Sequence, residues 1–359
     1  MVYSTTKPKH LFGRLLAAIV LLSAIAGYTK TDVPVFLLAG QSNMTGYAAS
    51  SGLQTNEKSD VQNVKIYMDL TWEGNASRVK KWLPLGINFG SGNANNGQSI
   101  GPELFFGRTL SDSMPGQKIA LIKVSCGSTY LAYHRDDKGA DDCWVPPSSN
   151  NGSAGAHYQR MISAIDAALK SFNTAYDTSL YTPRWAGFVW LQGEFDAYQT
   201  QYANAYEKNL TNLINDVRSA LKITDLPVII PMISTDPQWT YGSTVRTAEV
   251  NVTKKMKNVD TLETKSFPIS GGHYTAPGQV KIGTIAAQRW LNMKYTYSPA
   301  VSVKPIALTT KQKQSIVAKP ASIISLNGRQ VIGSDYIHNG IFITRTESGI
   351  FRYSSNFVK

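Results

Sequence analysis

Four short apolar runs are spaced along the first two thirds of the chain, and glycine or polar residues follow each of them at once. The runs are nearly unbroken instead of alternating with polar residues. This pattern is typical of parallel strands that are buried on both faces of a sheet. Strands are therefore predicted over VPVFLLAG (33–40), KIALIKVS (118–125), RWAGFVWLQG (184–193) and LPVIIPMIS (226–234).

Apolar residues recur at three- and four-residue spacing between and after these runs, as they do in amphipathic helices. Strand and helix thus alternate, which predicts a doubly wound, three-layer α/β/α fold with a parallel sheet. Two segments, 71–98 and 130–153, lack either period and are predicted to be long functional loops. Helices are predicted over 99–110, 155–172, 203–221 and 276–291.

Both ends of the chain differ from the segments between them in their pattern of apolar and polar residues. Residues 1–26 combine a basic start with a short apolar run and a small-residue cleavage pattern, which predicts a secretory signal. The main domain is then expected over 27–297, followed by a linker over 298–315. Residues 316–359 alternate apolar and polar positions around Asn-Gly turns, which predicts a small all-β module. No later run is apolar and long enough to span a membrane once the signal is removed.

Charge and cysteine content narrow the possible partners. The formal net charge of +12 could indicate a nucleic-acid partner, but eight basic and only two acidic residues lie after position 296. The body is much closer to neutral and carries no recognition motif, so no nucleic-acid partner is expected.

Cys126 and Cys143 are the two cysteines, and an even pair in an exported protein predicts a disulfide. They match no zinc spacing, so no metal is expected.

The segment VFLLAGQSNMTGYA (35–48) places Ser42 directly after the first predicted strand. A hydroxyl at the carboxyl end of a buried strand is accessible, and the N–H groups of a following helix can bind an oxyanion. A lone serine in such a place is ordinarily a turn residue or a helix cap. The neighbouring segments therefore decide between a turn and a nucleophile.

Three further segments bring complementary groups to the same edge of the predicted sheet. Gly127 follows the second strand, where its backbone N–H can approach an oxyanion. Gln192 and Glu194 follow the third strand, and His273 lies in the glycine-rich segment SGGHYTAPGQ (270–279) before the last helix. A serine, a glycine, an amide, an acid and a histidine are thus expected to share one crevice.

This combination resembles the SGNH hydrolase superfamily, and within it the branch of carbohydrate esterase family 6 and sialate O-acetylesterase-like proteins. The resemblance covers about residues 33–292, and the first two motifs in this order are fairly specific. Cys126 stands where the branch has the first glycine of its GGTSL segment. The matching segments are GQSNM (40–44), QGEFD (192–196), CGSTYL (126–131) and GPELFFG (101–107).

The resemblance implies a three-layer SGNH fold and removal of O-acetyl groups from a carbohydrate through an acyl-serine intermediate. Ser42 would be the nucleophile, and His273 the general base and then the general acid. The oxyanion donors would be the backbone N–H groups of Ser42 and Gly127 together with the Gln192 side chain. Such chemistry needs no cofactor.

One position departs from the family pattern. The superfamily usually has D-x-x-H, in which the aspartate orients the histidine, whereas this chain has Ser270 at the matching position. A serine cannot stabilise an imidazolium with a charge. Glu194 is the first candidate for the missing orienting acid, because members of the branch are thought to use this glutamate. Asp196 is the alternative, and a Ser–His dyad is the third possibility.

The expected substrate is acetylated plant cell-wall polysaccharide, most simply acetylxylan, with loop aromatics stacking on sugar rings. O-acetylated sialic acid is the nearest rival substrate. A non-catalytic carbohydrate-binding protein on the same fold is the rival from another class, and a lipase-like enzyme has no distinct lid helix to support it. The candidate sugar contacts are Trp72, Trp82, Tyr130 and Trp144.

The C-terminal module resembles the sorting domain of type IX secretion cargo, through the phrases ISLNGRQV and NGIFITRTESG. This resemblance implies a contact with secretion machinery and a secreted or cell-surface location. A small carbohydrate-binding or merely stabilising β module is the alternative.

Overall fold

The computed structural model describes residues 29–70, 73–136 and 141–296, together with four short strands between 323 and 353. The helices are α1 (Ser42–Thr45), α2 (Glu103–Ser113), α3 (Ala156–Lys170), α4 (Thr200–Leu221), α5 (Gly242–Lys255) and α6 (Ala276–Asn292). The strands of the body are β1 (Thr31–Gly40), β2 (Ala48–Ala49), β3 (Val61–Leu70), β4 (Trp82–Leu85), β5 (Ser99–Ile100), β6 (Ile119–Ser125), β7 (Tyr181–Leu191), β8 (Val228–Pro231), β9 (Val259–Leu262), β10 (Ile269–Ser270) and β11 (His273–Tyr274).

Seven strands form the central sheet in the order β4-β3-β6-β1-β7-β8-β9. All neighbouring pairs are parallel except β3 with β4. The chain first lays β3 and β6 on one side of β1 and then continues with β7, β8 and β9 on the other side. The strand order therefore switches beside β1, and in open α/β sheets ligands bind outside the carboxyl ends of the strands at such a switch point.

The two faces of β1 explain why its sequence is apolar throughout. Val35 and Leu37 face one core, whereas Phe36 and Leu38 face the other, and all four side chains are fully buried. The first core is completed by α3, α4 and α5, and the second by α2 and α6. A strand covered by helices on both faces needs apolar residues at every position, not at alternate ones. The predicted three-layer α/β/α fold is thereby confirmed.

The four predicted strands and four predicted helices all form, with ends shifted by a few residues. The predicted stripes of α3 and α4 face the core, with Met161 and Leu213 fully buried. In the central sheet the sequence did not predict β3, β4 and β9, and it did not predict the helix α5. β4 lies within 71–98, so the prediction of a loop over that whole segment is wrong. In β3 polar residues interrupt the apolar ones, β9 has only four residues, and α5 mixes its few apolar positions with polar ones.

Four strands after position 322 pair only with one another and form an antiparallel sheet. The predicted signal over 1–26 and the predicted linker over 298–315 lie outside the described residues, and the domain boundaries stay predictions. Among the helices of the described ranges, none combines the length and the apolar character needed to cross a bilayer. The four strands are β12 (Ile323–Ser325), β13 (Gln330–Val331), β14 (Phe342–Thr346) and β15 (Gly349–Tyr353).

Candidate active site

The turn after β1 presents Ser42 at the centre of the sheet edge. Gly40 has a φ of 150°, and a Cβ at this position would lie 1.9 Å from the carbonyl oxygen of Leu191. Only glycine allows the chain to turn so close to the end of β7. Ser42 then opens the single-turn helix α1, so its N–H has no carbonyl partner within that helix. Ser42 is 8% exposed, so it is nearly buried at the carboxyl end of β1.

Gln41, the residue before Ser42, fixes the loop that follows β7. Its side-chain oxygen accepts hydrogen bonds from the N–H groups of Gly193 and Phe195, at 3.3 and 3.4 Å. Gln41 is 1% exposed, so these bonds are shielded from water. The QGEFD segment is therefore held in a defined place relative to the nucleophile turn.

Asn43, the residue after Ser42, clamps the backbone on both sides of His273. Its amide nitrogen donates to the carbonyl oxygen of Gly272 at 3.2 Å, and its side-chain oxygen accepts from the N–H of Tyr274 at 3.0 Å. A two-sided amide clamp of this kind fixes both the position and the direction of a backbone segment. Ser42 and His273, far apart along the chain, are thus brought to the same crevice.

The imidazole of His273 has a ring partner but no acid partner. Among the described residues, no carboxylate and no hydroxyl hydrogen-bonds its ring. Ser270 lies opposite His273 in the two-residue ladder of β10 and β11, with its own side chain exposed. The ring of Tyr47 stacks on the imidazole, with centroids 4.7 Å apart and planes 16° apart. Partial burial lowers the pKa of His273, which favours the neutral form that a general base needs.

Glu194 reaches His273 only through Asn43. Its Oε1 accepts a hydrogen bond of 2.6 Å from the same Asn43 amide nitrogen that bonds Gly272. Its other oxygen is buried without a partner. Complete burial raises the pKa of Glu194 to about 7, against the opposing effect of the Asn43 bond. The acid predicted to orient the imidazole directly is instead bonded to the side chain that positions the histidine backbone.

Asp196 and Gln192 are committed to the loop after β6, which corrects their expected roles. Asp196 accepts the N–H groups of Leu131 and Ala132 at 2.8 and 3.0 Å, so it does not orient His273. The amide nitrogen of Gln192 donates to Asp196 at 2.7 Å and to the carbonyl of Thr129 at 2.9 Å. Both of its N–H groups are thereby used, and none is left for an oxyanion. Burial raises the pKa of Asp196 to about 6.

The N–H of Gly127, a predicted oxyanion donor, is also occupied. It donates to Oε1 of Glu73 at 2.7 Å. The other oxygen of this buried carboxylate accepts a hydrogen bond from the hydroxyl of Tyr47. Burial, followed by this bond to Glu73, raises the pKa of Tyr47, so the phenol remains a donor. Of the three predicted oxyanion donors, the Ser42 N–H alone has no partner among the residues that the structure describes.

A buried ion pair on the β6 side of the nucleophile turn holds the end of α1 in place. Nζ of Lys123 on β6 donates to the carbonyl of Thr45 at 2.9 Å and to Oε2 of Glu103 at 2.6 Å. The carbonyl of Phe89 is its third acceptor. Burial lowers the pKa of Lys123, and the Glu103 carboxylate opposes that effect. The last residue of α1 is therefore anchored to the sheet by a charge-assisted bond.

The predicted disulfide between Cys126 and Cys143 is wrong, because both residues are buried thiols that are not joined to each other. Cys126 lies directly after β6, and its sulfur is 3.7 Å from the carbonyl oxygen of Gly127. The sulfur of Cys143 faces Gly155, at the start of α3. Burial raises the pKa of Cys143 to about 11. Each thiol thus packs as a small apolar side chain in the core.

Two of the four aromatic residues predicted to contact sugar are core residues. Trp82 is 7% exposed and donates its indole N–H to the carbonyl of Ala168. Trp144 is fully buried and donates to the hydroxyl of Thr129. Neither presents a face to a ligand, because each closes an edge of the first core. Trp72 lies outside the described residues, and Tyr130 is half-buried at the sheet edge.

The functional residues that sequence reasoning missed are Asn43, Tyr47 and Glu73. The position of Asn43 beside the candidate nucleophile was a usable signal, but its partners lie more than 150 residues away along the chain. Tyr47 and Glu73 belong to no segment that resembles a family motif. Within the described ranges, no cluster of three or more His, Cys, Asp or Glu residues could hold a metal ion.

Comparison with known proteins identifies a family whose model spans the main body of the chain. Residues 32–292 match the family described as "Carbohydrate esterase, sialic acid-specific acetylesterase". A probable carbohydrate esterase of Arabidopsis thaliana is 22% identical over 272 residues, which cover 72% of this chain and 90% of the relative. The crystal structure of that protein aligns with a TM-score of 0.54 and 20% identity, over 74% of this chain and 99% of the other.

A second solved structure, that of NanS, aligns with a TM-score of 0.52 and 14% identity, again over 74% of this chain and 99% of the other. Both structures share the arrangement of sheet and helices described above. The family match covers well over half of the chain and includes every element that builds the crevice. The chain therefore belongs to the carbohydrate esterase family described as sialic acid-specific acetylesterases.

Proposed function

We propose that this carbohydrate esterase is a serine enzyme that removes O-acetyl groups from plant cell-wall polysaccharide, with Ser42 as nucleophile and His273 as general base. The observation that carries the proposal is the Asn43 clamp. Asn43 follows Ser42 directly and bonds the backbone at Gly272 and Tyr274, on both sides of His273. The clamp holds the hydroxyl of Ser42 and the imidazole of His273 in one region of the fold, and these groups supply the nucleophile and the base of acyl transfer.

In the first step, Ser42 Oγ attacks the carbonyl carbon of the acetyl ester while His273 takes the hydroxyl proton. The tetrahedral intermediate collapses when the bond to the sugar oxygen breaks, and the imidazolium returns its proton to that oxygen. The sugar leaves as an alcohol, and an acetyl-serine remains. Water then attacks the acetyl-serine with His273 again acting as base, which releases acetate and regenerates Ser42.

The developing oxyanion is served first by the N–H of Ser42, at the start of α1. The N–H of Gly127 can contribute only in a conformation in which Glu73 has released it. Glu194 acts on His273 through Asn43, since its carboxylate bonds the amide that holds Gly272.

A row of aromatic rings beside the crevice supports a polymeric glycan as substrate. We call this row the aromatic strip. Its most exposed ring is that of Tyr198, which is 40% exposed to solvent. Neighbouring rings of the row meet edge to face, with planes 60° to 86° apart, so the row offers separate ring contacts to the C–H groups of successive sugars. Adjacent rings of the strip have centroids 4.9 to 5.5 Å apart, in the order Tyr202, Tyr130, Phe195, Tyr198 and Trp239.

The strip ends next to the histidine loop and a polar depression. A Cβ on Gly272 would lie 2.9 Å from the indole of Trp239, so the strip adjoins the loop that carries His273. Trp239 also borders a surface depression of about 700 Å³, whose lining includes Asp236, Ser243, Arg246, Thr247 and Asn251. Hydroxyl, amide and charged groups of this kind bind sugar hydroxyls. We infer that a glycan chain lies along the strip with one end over this depression.

O-acetylated sialic acid is the second candidate substrate, favoured by the description of the family. A sialic acid carries a carboxylate, which an unpaired cation would recognise. Arg246, the arginine of the depression, is paired with Glu263 and with the carbonyl of Ile233. Lys254 also lines the depression and is exposed, so the cations there do not exclude a carboxylate. The polysaccharide is the substrate proposed here because of the aromatic strip.

Acetate release from purified protein tests both parts of the proposal. The chain is expected to release acetate from acetylxylan faster than from O-acetylated sialic acid, and to hydrolyse 4-nitrophenyl acetate. The Ser42→Ala variant should lose activity on every ester by about 10⁴-fold or more, because no other hydroxyl takes its place. Ser163→Ala, on the exposed face of α3, is the matched control and should retain activity.

Each unexpected assay result would overturn a different part of the proposal. Activity that survives in Ser42→Ala would overturn the assignment of the nucleophile. A wild-type chain that binds acetylxylan but hydrolyses no ester would instead be the carbohydrate-binding protein of the rival hypothesis. Preference for acetyl-sialate would overturn the polysaccharide substrate and leave the esterase chemistry intact.

We also propose that the enzyme acts outside the cell, because a secretory signal is predicted over 1–26 and plant polysaccharide is an extracellular substrate. The β module after position 315 is proposed to engage secretion machinery. Deletion of residues 316–359 is expected to leave activity on 4-nitrophenyl acetate intact and to reduce export.

A further inference from the structure

The imidazole of His273 becomes a cation during acyl transfer, and its surroundings must stabilise that charge. An aspartate usually does so in Ser-His-Asp sites. Here Ser270 stands at the corresponding position, and the carboxylates of Glu194 and Asp196 bond other groups. Among the described residues, the one aromatic ring that stacks on the imidazole of His273 is that of Tyr47.

Tyr47 presents the face of its ring to the imidazole, not its hydroxyl. The two planes are 16° apart and their centroids are 4.7 Å apart. This arrangement places the electron-rich face of the phenol against the flat face of the imidazole. A cation that lies over an aromatic face within about 6 Å of its centroid is stabilised, and the gain is larger where water is excluded.

Glu73 fixes the Tyr47 ring and makes it more electron-rich. The hydroxyl of Tyr47 donates to Glu73, whose other oxygen accepts the N–H of Gly127 at 2.7 Å. Glu73 is fully buried, so the acceptor end of this bond is shielded from water. Donation to a carboxylate shifts electron density into the phenol, and the tethered ring cannot rotate away from the imidazole. The chain Gly127, Glu73, Tyr47, His273 is therefore continuous.

We propose that Tyr47 is a positioning residue that holds the His273 imidazole and stabilises its cationic form, in place of the orienting aspartate that this chain lacks. The inference rests on the proposed function, because it assigns the role of Tyr47 in that reaction. Glu73 acts at one remove, by fixing the Tyr47 ring. Neither residue needs to touch the substrate for this role.

The other groups around His273 allow the contribution of Tyr47 to be isolated. The titratable groups that face this corner are Tyr47, Glu73 beyond it, Cys126 near Tyr47, and Glu194 behind Asn43. The residues contributed by α1, β10 and the loop before α5 are Ser42, Asn43, Ser270, Gln238 and Trp239, which carry no charge. A change of Tyr47 to an aliphatic residue therefore removes the ring face without removing a charge.

The test compares Tyr47→Phe with Tyr47→Leu. Both variants lose the hydroxyl that bonds Glu73, and both introduce an apolar side chain. Only phenylalanine keeps an aromatic face. Tyr47→Leu is expected to show a kcat on 4-nitrophenyl acetate about tenfold below that of Tyr47→Phe, with KM within about twofold. The acidic limb of the pH profile of kcat/KM should lie about 0.5 pH unit lower in the leucine variant, because its imidazolium is less stable.

Proton NMR titration of His273 gives a readout that does not depend on activity. Its resonance is assigned by its loss in His273→Asn, and its pKa should be lower in Tyr47→Leu than in Tyr47→Phe. Tyr181→Leu, at the opposite end of β7, is the control and should leave that pKa unchanged. Thermal unfolding establishes that each variant is folded.

Two outcomes separate the inference from the function on which it rests. If Ser42→Ala abolishes esterase activity but the phenylalanine and leucine variants share the same kcat and the same His273 pKa, the role of Tyr47 is overturned and the esterase stands. If the wild-type chain has no esterase activity, the proposed function fails, and the NMR titration still decides whether Tyr47 stabilises the imidazolium. If Tyr47→Leu does not fold, Tyr47→Met replaces it as the variant without an aromatic face.

Discussion

Two buried polar clusters flank the nucleophile turn, and they differ in how fully their atoms are bonded. On the side of β6, Lys123 donates to three acceptors, and Oε1 of its partner Glu103 accepts the N–H of Gly101. On the side of β7, Glu194 accepts a single bond from Asn43, and its second oxygen is buried without a partner. Both clusters are fully buried.

The difference separates a scaffold from a site. A buried charge that is completely bonded adds rigidity, and its surroundings keep it ionised. A buried carboxyl with an unbonded oxygen is instead costly when ionised, so its pKa rises towards neutrality. Groups of this second kind concentrate at functional sites. The comparison therefore assigns the Lys123 cluster to support of the turn and the Glu194 cluster to positioning of His273.

The largest expected effect comes from breaking the bonded cluster. Lys123→Met keeps the length of the side chain but leaves the Glu103 carboxylate buried without its counter-ion. The free energy of unfolding should fall by about 3 to 5 kcal/mol, as it does when one partner of a buried ion pair is removed. Denaturant titration measures this loss.

The exposed lysine of α3 offers the control for that experiment. Lys170 pairs with Asp166 on the helix surface, and its side chain is 72% exposed. Lys170→Met should change the free energy of unfolding by less than about 0.5 kcal/mol. Equal effects of Lys123→Met and Lys170→Met would show that the buried pair does not support the turn.

The next effect concerns the under-bonded acid and depends on pH. Glu194 has a pKa of about 7 in the folded chain and near 4 when unfolded, so the folded state holds its proton more tightly. Its contribution to stability is therefore full below about pH 4 and is lost as the pH rises to about 7. Glu194→Gln, which keeps the acceptor for Asn43, should remove this loss.

The measurement is the free energy of unfolding at pH 5 and at pH 8. Between these values the wild-type chain should lose about 1 to 3 kcal/mol more stability than Glu194→Gln. Asp196 and Glu249, whose pKa values are also raised, are present in both proteins, so only their interaction with the Glu194 charge adds to the difference. The same pH dependence in both proteins would show that Glu194 is ionised throughout, and the contrast between the two clusters would disappear.

The sequence predicted the sheet core, because unbroken apolar runs such as residues 33–40 have few other folded environments. It also placed Ser42 and His273 correctly at the sheet edge. It did not predict which polar groups bond one another there. Gln192 and Asp196 had the right types for catalysis, yet they bond each other and the loop at Thr129 and Leu131.

Such pairings follow from backbone positions that no local pattern encodes. Tyr47 and Glu73 illustrate the limit, because their bond joins two loops across the crevice. The loop tryptophans illustrate the converse error. Trp82 and Trp144 stand in segments that look irregular, but their neighbours place them in the core, where each indole N–H finds an oxygen acceptor.

The smallest expected effect concerns the cysteine pair, which lies between the two clusters in sequence and belongs to neither. An even number of cysteines in an exported chain favours a disulfide only when their side chains meet, and composition carries no information about that. Here Cys143 faces Gly155 at the start of α3, whereas Cys126 follows β6 directly.

Reduction with dithiothreitol should therefore leave the unfolding temperature unchanged, and thiol titration of the denatured chain should find two thiols. In the native protein both should react slowly, because both are buried and burial raises the pKa of Cys143 to about 11. A fall in unfolding temperature on reduction would restore the disulfide and place a covalent link in the loop that carries Tyr130.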